Sequence, residues 1–240
     1  MNIDNFRELM CSYGKQIDIE FNDKQLSQFY EYMNLLLECN EKINLTAIVK
    51  PEEIILKHFI DSLTINKYIG ENKTLADVGT GAGFPGIPLK IYRPDLDVTL
   101  VDSLNKRINF LNEVIVKLDL KDINTVHSRI EDFGKDKKYR ESFDYVIARA
   151  VANLTTLSEY LIPISKVNGK CICMKGNDVK EEIKDSEKAI NVLGGKIDKV
   201  DYFELPNSDI SRNVIIIDKI KNTPSKYPRK AGMPSKEPLK

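Results

Sequence analysis

The sequence predicts an α/β protein, a doubly wound parallel sheet that ends in an antiparallel hairpin behind a helical amino-terminal region. Three observations carry this. Through residues 1–68 apolar side chains recur at spacings of three and four, the period of a helix face. From residue 74 short apolar runs alternate with amphipathic ones, a β-α-β-α rhythm. The last two strand-like runs, 196–205 and 213–220, are separated only by residues 206–212, too few for the dozen or so residues of a parallel crossover. A plain dinucleotide-binding sheet lacks such a hairpin, whereas the methyltransferase version of the doubly wound fold has it.

The elements follow in order. Leu26, Phe29, Tyr30, Met33, Leu36 and Leu37 form one helix face, with Asn22 or Asp23 as its cap. Asn44-Leu45-Thr46 punctuates, and a second helix is expected over 52–68, with Pro51 suited to its first turn. Strands are expected at 75–78, 98–101, 124–127, 145–148 and 170–174, the last entered through a turn at Gly169. Helices are expected from Gly86 to Ile91, from Ser103 or Asn105 to about Leu118, over 154–164 and over 179–193.

With 42% hydrophobic and 30% charged residues in 240, the composition is that of a folded domain and excludes collagen, coiled coil and wholesale disorder. No apolar stretch approaches a membrane span. The first residues, Met1-Asn-Ile-Asp-Asn-Phe-Arg7, hold acids and no apolar core, so no signal peptide is expected and the expected location is cytoplasmic. Cys11, Cys39, Cys171 and Cys173 show no metal spacing, and His58 and His127 are isolated. No metal site is expected, and Cys171 and Cys173 read as one face of a buried strand. The chain as a whole has no net charge, but residues 219–240 carry seven basic side chains and one acid, leaving an acidic body. Such a tail suits an anionic polymer or simple solvation.

The chemistry centres on Asp77-Val-Gly-Thr-Gly-Ala-Gly-Phe-Pro-Gly86, a glycine loop between strand and helix. Gly79, Gly81 and Gly83 let backbone press against a ligand. Two ligands fit. Gly81, Gly83 and Gly86 match the dinucleotide pattern with Asp102 twenty-one residues on, which admits a nicotinamide cofactor. S-Adenosylmethionine fits an acid two residues before the first of three alternating glycines, where Asp77 can anchor its ammonium directly or through water. An acid beside a pyrophosphate repels it, so Asp77 and the hairpin both favour S-adenosylmethionine. Asp102 can accept both ribose hydroxyls or simply begin a helix. Ser103 and Leu104 can flank the adenine. Ile130 and Glu131 can read its edge, and Glu131 can equally be a helix-start residue. Arg149 and Lys175 end strands at the mouth of the sheet, where ligands bind.

At this point the residues resemble a known family. The glycine loop extended to Ile87-Pro88, Leu100-Val-Asp-Ser103 with Lys106-Arg107, Ser128-Arg129, Ala148-Arg-Ala-Val-Ala152 and Met174-Lys-Gly176 are similar to the glucose-inhibited division protein B family, the bacterial small-subunit rRNA guanine-N7 methyltransferases. Asn44-Leu-Thr-Ala47, His58-Phe-Ile-Asp-Ser-Leu63 and Tyr227-Pro-Arg-Lys-Ala-Gly232 extend the likeness over nearly the whole chain. The resemblance implies a seven-stranded Rossmann-like methyltransferase sheet (residues 69–220) between a helical region (1–68) and a basic, proline-rich tail (221–240). It implies transfer of a methyl from S-adenosylmethionine to N7 of a guanine in the 530 loop of 16S rRNA, free or in an assembling small subunit. It implies cofactor contacts at Gly79, Phe84, Ile130, Glu131 and Arg149, with Asp102 on the ribose.

Guanine N7 is a free lone pair, so the reaction needs alignment rather than a base. That agrees with the lack of an Asn/Asp-Pro-Pro-Tyr/Phe motif and of a Pro-Cys nucleophile. No residue stands out as catalytic. Arg149 and Arg212 are candidates to position the guanine, and Lys175, Arg212, Arg229 and Lys230 to contact RNA. A monomer is expected. The rival readings are a methyltransferase of another RNA, a protein or a small molecule, an NAD-dependent oxidoreductase, and a non-catalytic RNA-binding protein.

Overall fold

The computed structural model describes residues 1–176 and 179–239. The chain opens with helices α1 (Ile3–Lys15) and α2 (Asp23–Ile43). Of the two candidate caps, Asn22 begins α2, closing a reciprocal capping box with Gln25. The buried face of α2 is Leu26, Phe29, Tyr32, Met33 and Leu36; Tyr32 joins the expected residues, and Tyr30 and Leu37 are half-buried and pack against the same core. The helix stops at Asn44, which takes the left-handed conformation.

The single helix expected over 52–68 is instead broken into pieces. Helix α3 (Pro51–Ile54) widens into a π-helical turn, Ile55–Ile60, before α4 (Asp61–Leu63) and a 3-10 turn, Asn66–Tyr68. Such turns accompany functional sites, and this one carries His58.

Seven strands form one sheet: β1 (Thr74–Val78), β2 (Asp97–Asp102), β3 (Ile123–His127), β4 (Phe143–Arg149), β5 (Ser165–Lys175), β6 (Gly195–Glu204) and β7 (Ser211–Lys219). Their order is β3-β2-β1-β4-β5-β7-β6, with β1 to β5 parallel and β7 antiparallel to both neighbours. The hairpin's second strand thus slips inside its first. The cause is visible in the residues: Val214, Ile215, Ile216 and Ile217 are all buried, whereas β6 alternates Lys196, Asp198, Lys199 and Asp201 along the sheet edge, where charge blocks further pairing. Strand β5 starts five residues earlier than expected, but its pairing with β4 jumps from Phe143–Ser165 to Tyr145–Lys170 across an irregularity that holds Asn168 at a positive φ, so the continuous ladder begins at Lys170, just after Gly169, as expected.

Helices α5 (Gly86–Tyr92), α6 (Asn105–Lys117), α7 (Ile130–Phe133), α8 (Leu154–Leu161) and α9 (Lys180–Leu193) cover the two faces. Strand alternation sorts the core. Leu75, Leu100, Ile147, Ile172 and Ile216 pack with α1, α2, α5 and α6, and the amino-terminal helices share this core with the sheet. Val78, Val101, Ala148, Cys171, Cys173 and Ile217 pack on the other face with α8 and α9.

The carboxy-terminal residues do not extend as a free basic arm. Thr223, Tyr227 and Pro234 are buried, and the segment ends in one turn, α10 (Met233–Lys236). Arg140 holds it by donating to the carbonyls of Thr223 and Tyr227. No helix among the described residues is long and apolar enough to cross a membrane.

Candidate functional site

Two clefts open at the carboxyl ends of the parallel strands and meet at Ala150, which lines both and has φ +55°. This is where ligands bind doubly wound sheets. The first cleft, about 580 Å³, is lined by Gly79, Asp102, Ser103, Leu104, Arg107, Ile130, Glu131 and Val151, and also by Tyr160, Gly232 and Ser235. It gathers most of the cofactor residues expected from sequence.

Of the glycine loop, Gly79 lines this cleft. Gly79 has φ +70°, and a Cβ there would lie 2.8 Å from Val151 Cγ2, so only glycine leaves the cradle open. Gly83 has φ +101° and packs against Tyr32 and Ile87. The Tyr32 hydroxyl donates to the Ala82 carbonyl, tying α2 to the loop. Asp102 receives Gly81 N–H (3.0 Å), Leu104 N–H (2.9 Å) and Arg107 Nη1 (3.1 Å). Leu104 stays 42% exposed for an apolar residue in a cleft.

Asp77 lies beneath the loop, fully buried. Its Oδ2 accepts both Thr80 Oγ1 (2.6 Å) and Gly86 N–H (2.8 Å), while Oδ1 is buried without a partner. Burial pushes this carboxyl up to about 6 against the pull of those hydrogen bonds and of Arg149. Asp77 lines neither cleft, so its unpartnered oxygen is a buried polar atom that a proton, a water or a ligand group reaching under the loop can satisfy. The orphaned oxygen, the glycine cradle, the Asp102 carboxylate and the exposed Leu104 fit a ligand with an ammonium, a ribose and a flat base, which is S-adenosylmethionine. Two carboxylates at the loop do not fit a pyrophosphate.

The second cleft, about 460 Å³, is lined by Ile48, Lys57, His58, Asp61, Met174, Lys175, Val179, Glu182, Arg149 and Arg212. The structure places Arg149 here rather than in the cofactor cleft. Arg149 donates from Nη1 to Lys57 O (3.0 Å) and Asp61 Oδ2 (3.1 Å) and from Nη2 to His58 Nδ1 (3.0 Å). Asp61, 2% exposed, turns its other oxygen to Arg212 Nε at 3.0 Å. One carboxylate therefore locks two guanidiniums from β4 and β7.

Arginine only donates, so His58 Nδ1 is the acceptor and its proton sits on Nε2, which donates to Thr46 Oγ1 at 2.9 Å. Burial, and then Arg149, push this imidazole down to about 3, so it is neutral. Phe84 stacks on it at 4.3 Å. Phe84 thus links the glycine loop to the second cleft instead of lining the first. Lys175 is turned inward to Ala152 O and Glu182. Arg229 is spent on Glu159, a carboxylate 1% exposed, which it grips through Nε and Nη2. Arg229 is thus held against the body, while Lys230 beside it is exposed.

His58, Asp61 and Thr46 were not legible as site residues. The signal was present in the His58-Phe-Ile-Asp61 spacing, but it needed the π turn and β4 to bring them to Arg149. Buried Cys171 has its thiol pushed up to about 12, so it is no nucleophile. Among the described residues, no group of three or more His, Cys, Asp or Glu could hold a metal ion.

Residues 25–213 match the family described as GidB: rRNA small subunit methyltransferase G. The chain is 55% identical over 234 residues to a ribosomal RNA small subunit methyltransferase G of Acetivibrio thermocellus (97% of this chain, 96% of that one) and 53% identical over 228 residues to that of Desulforamulus reducens (94% and 95%). Among solved structures, it resembles a 16S rRNA (adenine(1408)-N(1))-methyltransferase of Catenulisporales acidiphilia with cosubstrate SAM. The TM-score is 0.52 at 16% identity, over 64% of this chain and 88% of that one. A ribosomal protein L11 methylase of Lactobacillus delbrueckii aligns similarly, with TM-score 0.52 at 18% identity over 69% and 79%. These two likenesses speak to the fold.

Proposed function

Because this chain belongs to the GidB family of small-subunit rRNA methyltransferases, we propose that it transfers a methyl group from S-adenosylmethionine to N7 of a guanine in the 530 loop of 16S rRNA. The single observation that carries the reading is the pair of clefts meeting at Ala150, one fitted to the adenosyl ligand and the other cationic and open. When bound, S-adenosylmethionine supplies a sulfonium methyl open to direct displacement by a lone pair.

The chain's own residues supply placement. Asp77, Gly79 and Asp102 hold the ligand's ammonium end, backbone side and ribose, with Leu104, Ile130 and Glu131 around the base. In the second cleft Ile48, Met174 and Val179 make apolar walls for a purine, and Arg149 and Arg212 sit where they can orient it. Lys57, Arg149, Lys175 and Arg212 outnumber Asp61 and Glu182 there, a local excess of positive charge on an otherwise acidic body, which favours a phosphate backbone. No base is required, and His58 is not placed to act as one: its Nδ1 is tied to Arg149 and its proton to Thr46. Proximity and alignment carry the rate.

Thermal shift with S-adenosylhomocysteine and with NAD tests the cofactor: the first should raise Tm and the second should not. Transfer of radiolabelled methyl to 16S rRNA, as free RNA and as 30S particles, tests the substrate. Labelling of neither overturns the assignment.

A further inference from the structure

The carboxy-terminal segment reaches the cofactor cleft. Gly232 and Ser235 line it together with Gly79 and Asp102. Gly232 N–H donates to Glu131 Oε1 at 2.7 Å. Glu131 is 6% exposed, lines the same cleft, and its Oε2 carries no hydrogen bond among the described residues. The segment therefore fixes one oxygen of this carboxylate and leaves the other to whatever occupies the cleft.

Helix α8 serves both sides of the arrangement. Its Glu159 grips Arg229, its Thr156 Oγ1 donates to Pro234 O at 3.1 Å, and its Tyr160 lines the cleft. At Gly232, φ is +82° and an added Cβ would have no atom within 4 Å, so this backbone turns its bare side to open space. Pro234 is buried, and Leu239 packs against the core on this face of the sheet.

We propose that residues 231–236 are part of the S-adenosylmethionine site: they wall its adenosine end and orient Glu131 to accept a hydrogen bond from that end of the ligand, so that docking of the tail and binding of the cofactor reinforce each other. This rests on the cofactor reading given above. The ligand chemistry it requires is an N–H or O–H donor on the adenosyl moiety, which the adenine amine and the ribose hydroxyls both provide. Coupling of this kind is reciprocal, which gives two readouts that do not depend on activity.

The first is calorimetry with S-adenosylhomocysteine on the full chain and on a chain lacking residues 231–240, which keeps the Arg229–Glu159 pair. The affinity should fall at least tenfold in the shortened protein. The second needs no variant: trypsin cleavage after Lys230 and Lys236 in the full chain, followed by mass spectrometry, should slow at least threefold at saturating S-adenosylhomocysteine. Unchanged cleavage overturns the proposal whether or not the shortened chain folds, and so does an affinity within twofold in a folded shortened chain. Failure of the full chain to bind S-adenosylhomocysteine at all would instead strike the cofactor reading.

Discussion

Replacing Asp77 with asparagine separates its two roles, because both of its hydrogen bonds fall on one oxygen. An asparagine whose carbonyl takes the place of Oδ2 keeps Thr80 and Gly86, and its amide replaces the unpartnered Oδ1. The brace under the loop survives while the buried charge is removed. Burial has raised this carboxyl from 3.8 to about 6. Between those pH values the native state binds more protons than the unfolded chain, so wild-type stability falls as pH rises through the interval and the full cost is present above about 6. At about 1.4 kcal/mol per pH unit the cost is roughly 3 kcal/mol. Burying an amide N–H₂ without an acceptor returns about 1–3 kcal/mol of it.

The ligand-free Asp77→Asn protein should therefore melt no lower than wild type at pH 8, and any gain should vanish by pH 4. Its affinity for S-adenosylhomocysteine should fall by 1.5–3 kcal/mol, about 10- to 150-fold, the range for losing a hydrogen bond to a charged group. Methylthioadenosine lacks the ammonium and should bind both proteins alike. Calorimetry and melting curves read all three. Unchanged S-adenosylhomocysteine affinity in the variant would refute the ammonium anchor and leave Asp77 a brace.

Four other outcomes follow from the same geometry. Gly79→Val should abolish S-adenosylhomocysteine binding by calorimetry while costing the fold only about 1–2 kcal/mol of backbone strain; retained affinity would remove the loop from the site. Asp61→Asn should lower kcat for rRNA methylation at least tenfold, with cofactor affinity within twofold, since its one carbonyl oxygen can hold only one of Arg149 and Arg212; a parallel loss of cofactor affinity would argue against separate clefts. Arg229→Ala leaves Glu159 buried with only the residue-229 backbone N–H and no counter-charge, which costs up to about 3–5 kcal/mol and shows as a lowered Tm, whereas Lys230→Ala should leave Tm alone and reduce the salt slope of RNA binding by about 0.7–0.9. His58, held neutral down to about pH 3, must take up a proton to unfold below its ordinary value of 6.5; its stabilisation is lost as pH falls through that window, and His58→Gln should flatten the acid side of the Tm profile.

Much of this was legible in the sequence, for identifiable reasons. The strand–glycine–helix rhythm and the short 206–212 connection are local signals, so the sheet, its hairpin and the loop could be read directly. Insertion of β7 between β5 and β6 could not, because it turns on which strand tolerates the edge; the charges of β6 hint at it only once the pairing is known. The second cleft was half visible. Arg149 and Arg212 stood out as cations ending or preceding apolar strands, but Asp61, which ties them together, sits 88 and 151 residues away. The docking of the tail was hidden for a similar reason. Its charge was plain, but the buried Glu159 that consumes Arg229 lies 70 residues upstream in an apolar helix.

The most direct test of the central claim is to map N7-methylguanine at nucleotide resolution in 16S rRNA from the source strain and from one lacking this protein, then to restore it with wild-type protein. A single N7-methylguanine in the 530 loop should disappear without the protein and return with it. The same methylation pattern in both strains would contradict it.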